Sequence, residues 1–311
     1  MNYGTGSGFG KTILFGEHFV VHNLPGIVAA LHETLDAKVT QSTENKLVLV
    51  DETIKFKNNK LKRFTTEMAL PRINAILNYL KIDTPLHITI SGTLKIANSG
   101  MGASAANVVA FVKALNSLFN LHLTPEQIRL ASDEGEKIAH GKPSGIDVAA
   151  ATYGGVFIFK SSEEQPLLIT ISIKKPIEIV LAESGAVTKT PLVIEAVQKL
   201  KKEQPKLVQN IFNKYKTLVA SAHTALTNFN LKTVGELMNQ NHELLQQLKV
   251  SCPQLNDMVN IARNAGAYGA KLTGTGRGGL IVALTPGKDL QNHVADALEQ
   301  QGFETLKTVI R

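Results

Sequence analysis

Two serines bracket two glycines in Ser99-Gly-Met-Gly-Ala-Ser104, and the helix formers that follow carry apolar residues at Val108, Phe111, Val112 and Leu115. A glycine-rich turn opening into a helix leaves the first backbone N–H groups of that helix unpaired. The macrodipole adds about half a positive charge at the same end. The chemistry on offer is anion binding, phosphate above all, with serine hydroxyls available to phosphate oxygens or to a metal. An ordinary serine-capped loop is the alternative. Two other phosphate motifs fail on context. Gly100-x-Gly102-x-x-Ala105 has the spacing of a dinucleotide fingerprint, which needs an acid about 20 positions on, at the end of a second strand. Here the first acid after the loop is Glu126, inside another helical stretch. Gly10-Lys11-Thr12 ends like a P-loop, but Thr5 stands where the first glycine is required, and Thr12 to His22 is β-branched and aromatic rather than helical.

Three further stretches carry groups that could react or bind. Lys11 heads a strand that runs into a Gly16-Glu17-His18 turn, although a lone lysine ordinarily faces solvent. Asp147 lies in Gly141-Lys-Pro-Ser-Gly-Ile-Asp-Val-Ala-Ala-Ala-Thr-Tyr-Gly-Gly155, among small and apolar residues. A carboxylate in such surroundings needs a partner or a function, or else it caps a helical turn. Thr273-Gly-Thr-Gly-Arg-Gly-Gly279 is a second glycine-rich loop. Its Arg277 has the chemistry to meet a phosphate or a substrate carboxylate, or to cap the loop.

The chain must be large enough to position these groups. Its 311 residues exceed one typical core and point to two domains. A hydrophobic content of 43% and a charged content of 19% belong to a folded protein, not a disordered one. The formal net charge is +7. Its basic clusters, around Lys55 to Arg63 and Lys199 to Lys202, read as solvated faces, so no nucleic-acid partner is expected. Cys252 is the only cysteine, which excludes an internal disulfide and a thiolate zinc site. No apolar run approaches ~18 residues and no signal pattern opens the chain, so no membrane partner and a cytoplasmic location are expected.

Periodicity supplies the elements. Strands are expected over 26–41 and 46–56, mostly antiparallel given the short links, and over 86–91, 156–159, 167–173 and 177–182. Helices are expected over 64–80, 124–139, 146–151, 191–202, 206–227, 231–248 and 253–265. Thr124-Pro-Glu-Gln127 has the signature of a capping box with proline at the first helical position. The C-terminal run of strand (269–273), loop, strand (280–284), helix (289–300) and strand (303–309) suits an α+β sandwich with helices on one face. The boundary is expected near Lys175-Pro176.

Three separated features line up in order: Gly10-Lys11-x-x-Leu14-x-Gly16-Glu17-His18-x-Val20-Val21, then Ser99-Gly-Met-Gly-Ala-Ser-Ala-Ala106, then Lys271-Leu-Thr-Gly-Thr-Gly-Arg-Gly-Gly279. Together they span nearly the whole chain and resemble the GHMP small-molecule kinases. Gly16 to His22 and Gly135-Glu-Lys-Ile-Ala-His-Gly-Lys-Pro-Ser-Gly-Ile-Asp147 are similar to the mevalonate kinase branch of that family. The resemblance implies an α+β, two-domain GHMP kinase fold. Its N-terminal part (1–175) would be a ribosomal S5 domain 2-like α/β domain with a left-handed βαβ unit. Its C-terminal part (176–311) would be ferredoxin-like, with ATP and substrate in the cleft between them.

It also implies roles, residue by residue. Asn98, Ser99, Gly100, Met101, Gly102, Ala103 and Ser104 would wrap the ATP phosphates. Ser104 and Glu136 would hold Mg²⁺. Asp147 would be the base that takes the proton of the mevalonate 5-hydroxyl, with Lys11 as its charge partner. Glu17, His18, Asp147, Tyr153 and Arg277 would meet or orient substrate. The family pattern departs at Ala103, where a second serine is common, and at Thr275 and Arg277, where glycine and alanine are usual. The rival expectations are a GHMP kinase for another small alcohol (phosphomevalonate, homoserine or a sugar) and a non-catalytic homologue that only binds nucleotide. The family offers both monomers and homodimers.

Overall fold

The computed structural model describes residues 2–42, 47–51, 66–94, 100–141, 143–162, 166–186 and 190–311. In chain order the elements begin β1 (Tyr3–Phe15), β2 (Gly26–Gln41), β3 (Val48–Asp51), α1 (Thr66–Leu80), β4 (Leu86–Gly92), α2 (Ala103–Phe119), α3 (Pro125–His140) and α4 (Ile146–Tyr153). They continue with β5 (Val156–Lys160), β6 (Leu167–Ile171), β7 (Ile177–Glu183), α5 (Thr190–Glu203), α6 (Pro205–Thr227), α7 (Leu231–Gln247) and α8 (Pro253–Asn264). Last come β8 (Gly269–Thr273), β9 (Leu280–Leu284), α9 (Lys288–Glu299) and β10 (Glu304–Ile310). None of the described helices is long and apolar enough to cross a membrane.

Packing groups Met1–Lys11, His32–Ala97 and Gly102–Gly154 into one compact unit, and Thr12–Leu31, Asn98–Met101 and Gly155–Arg311 into a second. The expected division at Lys175-Pro176 falls just before β7, whereas compactness also assigns β5, β6 and the Thr12–Leu31 stretch to the second unit. The reason is pairing: Gly26 to Ala29 of β2 lie antiparallel to Phe159 to Val156 of β5, which in turn pairs β6.

In the first unit β2 pairs β4 antiparallel, from Leu35 opposite Gly92 to Gln41 opposite Leu86. β3 pairs β4 in parallel, Val48 opposite His87 through Asp51 opposite Ile90. The short links behind the antiparallel expectation do not apply to this pair. α1 supplies the long crossover that a parallel pair requires, making β3–α1–β4 a βαβ unit. The N-terminal glycines also turn out to be strand. Gly4, Gly6 and Gly8 alternate along β1, and a Cβ on each would stand 2.1, 2.4 and 2.1 Å from the carbonyl oxygens of Ala114, Ala110 and Ala106 of α2. Period-two glycines therefore present a bare backbone on which α2 lies directly. The capping box forms as read: Thr124 Oγ1 accepts from Gln127 N at 3.2 Å and Gln127 Oε1 accepts from Thr124 N at 2.8 Å.

In the second unit β10, β7, β9 and β8 form an antiparallel sheet in that order. With α8 between β7 and β8, and α9 between β9 and β10, this is the βαββαβ run and 4-1-3-2 order of a ferredoxin-like fold. α8 and α9 pack against each other and on the same sheet. A polar pin fastens α7 to this sheet. His242 Nδ1 accepts from Leu272 N at 3.3 Å, so its Nε2–H donates to Asn256 Oδ1 at 3.1 Å. Burial, aided by the charges of Arg263 and Lys271, pushes the His242 pKa down to about 4. An unfolded chain takes up this proton below about 6.5, whereas the folded ring refuses it until about 4, so stability falls as pH drops through that window. Between pH 7 and pH 5 the wild-type protein is expected to lose about 2 kcal/mol from this group alone. Urea titrations of wild type and His242→Gln at both pH values check it; equal losses in the two proteins would exonerate His242.

Candidate active site

The N-terminus of α2 is built for an anion. Its N-cap, Gly102, has φ 73° and offers no side chain to the first turn, so that turn's N–H groups have no side-chain cap. Gly100 is likewise left-handed, with φ 67°, and a Cβ there would meet nothing within 4 Å. Gly102 is required for a different reason: a Cβ there would lie 2.9 Å from Cγ of Lys11. The lysine stem thus runs across the bare backbone at the head of α2. Met101 is buried, Ala103 and Ser104 open the helix, and Asn98 and Ser99 lie outside the described residues.

Lys11 ends on Asp147. Its Nζ stands 3.1 Å from Asp147 Oδ1, with the lysine side chain 6% exposed and the aspartate 41% exposed. β1 positions the lysine. Gly145, left-handed at φ 77°, turns the chain into α4 and puts Asp147 in that helix's first turn. A buried ammonium needs a counter-charge, and Asp147 supplies it while keeping one side open to solvent. Both alternatives for this carboxylate were open in the sequence, and the structure gives it the partner.

Ser104, in the first turn of α2, meets Glu136 of α3. Ser104 Oγ donates to Glu136 Oε1 at 2.8 Å, and the buried Glu136 carboxylate also pairs with Arg72 of α1. Burial lowers the Arg72 pKa while the Glu136 charge raises it, and the guanidinium keeps its proton. His140 Nε2 is 3.6 Å from Glu136 Oε2. Among the described residues no group of three or more His, Cys, Asp or Glu side chains could by itself hold a metal ion. Two hard oxygens 2.8 Å apart are nonetheless suited to Mg²⁺, which takes neighbouring octahedral ligands at 2.0–2.1 Å and completes its shell with water and substrate phosphate.

The Gly16-Glu17-His18 turn belongs to the second unit and is clamped there. Glu17, 1% exposed, pairs with the fully buried Lys271 of β8, whose Nζ also donates to Leu272 O at 2.6 Å and Ile13 O at 3.4 Å. Burial pushes the Lys271 pKa down, and Glu17 opposes the shift. His18, left-handed at φ 62°, donates from Nε2 to Thr275 O at 2.6 Å, which leaves Nδ1 an acceptor. Burial lowers its pKa, against the Thr275 bond, and Arg277 lowers it further. Thr273 Oγ1 accepts from Ile13 N at 3.1 Å, and Phe19 stacks on Tyr215 with centroids 3.7 Å apart. Within the second unit, the Thr12 to Phe19 stretch and the third glycine-rich motif are therefore one assembly.

Two further residues expected to meet substrate have partners within the protein. Tyr153 Oη donates to Glu126 Oε2 at 2.6 Å, and its pKa is pushed up to about 12 by burial and that bond. It lies six residues beyond Asp147 along α4, about 9 Å on the helical rise, so the two side chains do not converge. Arg277, left-handed at φ 52°, makes loop contacts: its Nε donates to Lys249 O at 3.1 Å and its backbone N to Val250 O at 2.8 Å. Sequence reasoning missed Arg72 and the partnership of Lys271. Each is a charge on an otherwise apolar surface, Arg72 beside Ile73 and Ile76 on α1 and Lys271 between Ala270 and Leu272, which signals a buried partner.

Residues 66–155 match the GHMP kinases N terminal domain, and residues 222–304 match the GHMP kinases C terminal domain. The chain is 31% identical to a mevalonate kinase of Thermococcus sibiricus, over 96% of this chain and 94% of that one. It is 32% identical to a mevalonate kinase of Pyrococcus horikoshii, over 94% and 91%. A crystal structure of L. major mevalonate kinase in complex with R-mevalonate superposes with a TM-score of 0.91 at 34% identity, covering 99% of this chain and 96% of that chain. With the three motifs in order, an open helix N-terminus crossed by Lys11 and relatives of this extent, the chain belongs to the GHMP kinase family, in its mevalonate kinase branch.

Proposed function

We infer that the chain is an ATP-dependent mevalonate kinase that transfers the γ-phosphoryl group to the mevalonate 5-hydroxyl, giving 5-phosphomevalonate. The observation that carries the reading is the Lys11–Asp147 pair at the head of α2. Phosphoryl transfer is chiefly positioning and charge stabilisation, and this arrangement has parts for both. The uncapped first turn of α2 cradles the phosphates. Asp147 orients the alcohol and accepts its proton as the O–P bond forms. Lys11 balances the carboxylate and the charge that develops on the transferring group. Because the transition state is loose, the proton moves late and a weak base suffices.

Ser104 and Glu136 would hold Mg²⁺, which when bound neutralises phosphate charge. Ser104→Ala is expected to raise the magnesium concentration for half-maximal rate about tenfold, since one of two protein oxygens is lost. An unchanged magnesium dependence would move the metal elsewhere. His18, with Nδ1 as an acceptor, suits a substrate O–H group, and Glu17 acts on it only by holding the turn.

The test is ADP release from Mg-ATP with mevalonate, phosphomevalonate, diphosphomevalonate, homoserine and galactose. Turnover confined to mevalonate supports the reading, and turnover with another alcohol reassigns the substrate. Nucleotide binding without turnover on any of them returns the non-catalytic alternative.

A further inference from the structure

Arg72 takes no part in the transfer itself, yet it is built into the site. It is 5% exposed on α1. Its Nε donates to Gly135 O at 3.3 Å, and its Nη2 donates to Ser104 O at 3.2 Å and to Glu136 Oε1, the same oxygen that receives the Ser104 hydroxyl. One guanidinium thus ties α1 to the first turn of α2 and to α3. Gly135 makes the approach feasible, because a Cβ there would stand 2.9 Å from Cδ1 of Ile76 and 3.0 Å from Cγ1 of Val108. A carboxylate as buried as Glu136 needs a positive partner, and a guanidinium is a permanent one with a fixed fork of donors.

The charge count has a consequence for metal uptake. Arg72 cancels Glu136 and Lys11 cancels Asp147, and among the described residues no three His, Cys, Asp or Glu side chains come together to hold a cation by themselves. We propose that Arg72 is a positioning residue, the resident counter-cation of Glu136. It holds the carboxylate beside Ser104 in the nucleotide-free protein and keeps these oxygens from capturing a divalent cation alone, so that the metal enters with the nucleotide phosphates. The proposal rests on the Ser104–Glu136 reading of the metal site.

The experiment is a titration of the full-length protein with Mn²⁺, with free Mn²⁺ read by electron paramagnetic resonance, in the absence and presence of a non-hydrolysable ATP analogue. Wild type is expected to bind Mn²⁺ at least a hundredfold more weakly without the analogue than with it. Without nucleotide, Arg72→Met should bind Mn²⁺ at least tenfold more tightly than wild type, Arg72→Lys should stay close to wild type, and the Arg72→Met/Glu136→Gln pair should return to weak binding. A purely structural arginine would not tighten metal binding on removal. Arg72→Gln, which keeps donors without the charge, repeats the test should the methionine variant fail to fold. The proposal is overturned if wild type takes up Mn²⁺ equally well without nucleotide, or if a folded Arg72→Met or Arg72→Gln binds it no better than wild type. Unaltered Mn²⁺ uptake by Glu136→Gln with the analogue would instead remove the metal reading on which the proposal stands.

Discussion

Asp147→Asn is expected to lower turnover by two to four orders of magnitude, the range over which a positioned general base acts, while the KM for ATP stays within about threefold. The asparagine keeps an oxygen near Lys11 Nζ, which stands 3.1 Å from Asp147 Oδ1 in the native protein, but it cannot accept the alcohol's proton. The uncapped turn of α2, to which we assign the phosphates, is untouched. Steady-state rates with saturating mevalonate, together with nucleotide binding by calorimetry, separate the two effects. The variant also leaves a lysine that is 6% exposed without its counter-charge, so some stability is lost as well. A thermal melt tells that loss from a catalytic one. Turnover within tenfold of wild type would remove Asp147 as the base and leave Lys11 paired with it for structural reasons only.

Lys271→Met is expected to have the largest effect on stability. The lysine and Glu17 are both essentially inaccessible and pair across the second unit. Removing one partner strands the other as a buried charge, at a cost of about 3–5 kcal/mol, or on the order of 10 °C in melting temperature for a unit of this size. Replacing both, Lys271→Met with Glu17→Gln, should recover most of that loss, because a neutral pair has no charge to desolvate. The double variant should still show a raised KM for mevalonate, since the Gly16-Glu17-His18 turn loses its clamp while His18 keeps only its bond to Thr275 O at 2.6 Å. Calorimetric melts of the two single variants and the double variant form the cycle. Additive losses would mean that the pair is not coupled and that Lys271 acts through its carbonyl contacts alone.

Local signals in the amino-acid order determined a good deal. β2, β8 and β9 fall on the stretches read as strands, and the Thr124 capping box forms as its spacing requires. These features depend on neighbours a few residues apart, where alternation, helical period and capping chemistry suffice. The order of the three motifs was legible as well, and it was the family resemblance they carry, not local spacing, that singled out Ser104 and Glu136 beside Lys11 and Asp147. Packing decided the rest. Nothing near Gly4, Gly6 and Gly8 in the chain announces that α2 will lie on them, since the contact comes from Ala106, Ala110 and Ala114, about a hundred positions away. The parallel pairing of β3 with β4 depends on where α1 crosses. The loop contacts of Arg277 depended on the carbonyls of Lys249 and Val250, more than twenty positions away. Likewise, a lone buried charge such as Arg72 or Lys271 announces that it needs a partner but not which one. Glu136 and Glu17 become the partners only when helices and strands distant in the chain are brought within hydrogen-bond reach, because ion pairing depends on distance in space, and local sequence carries no record of that distance.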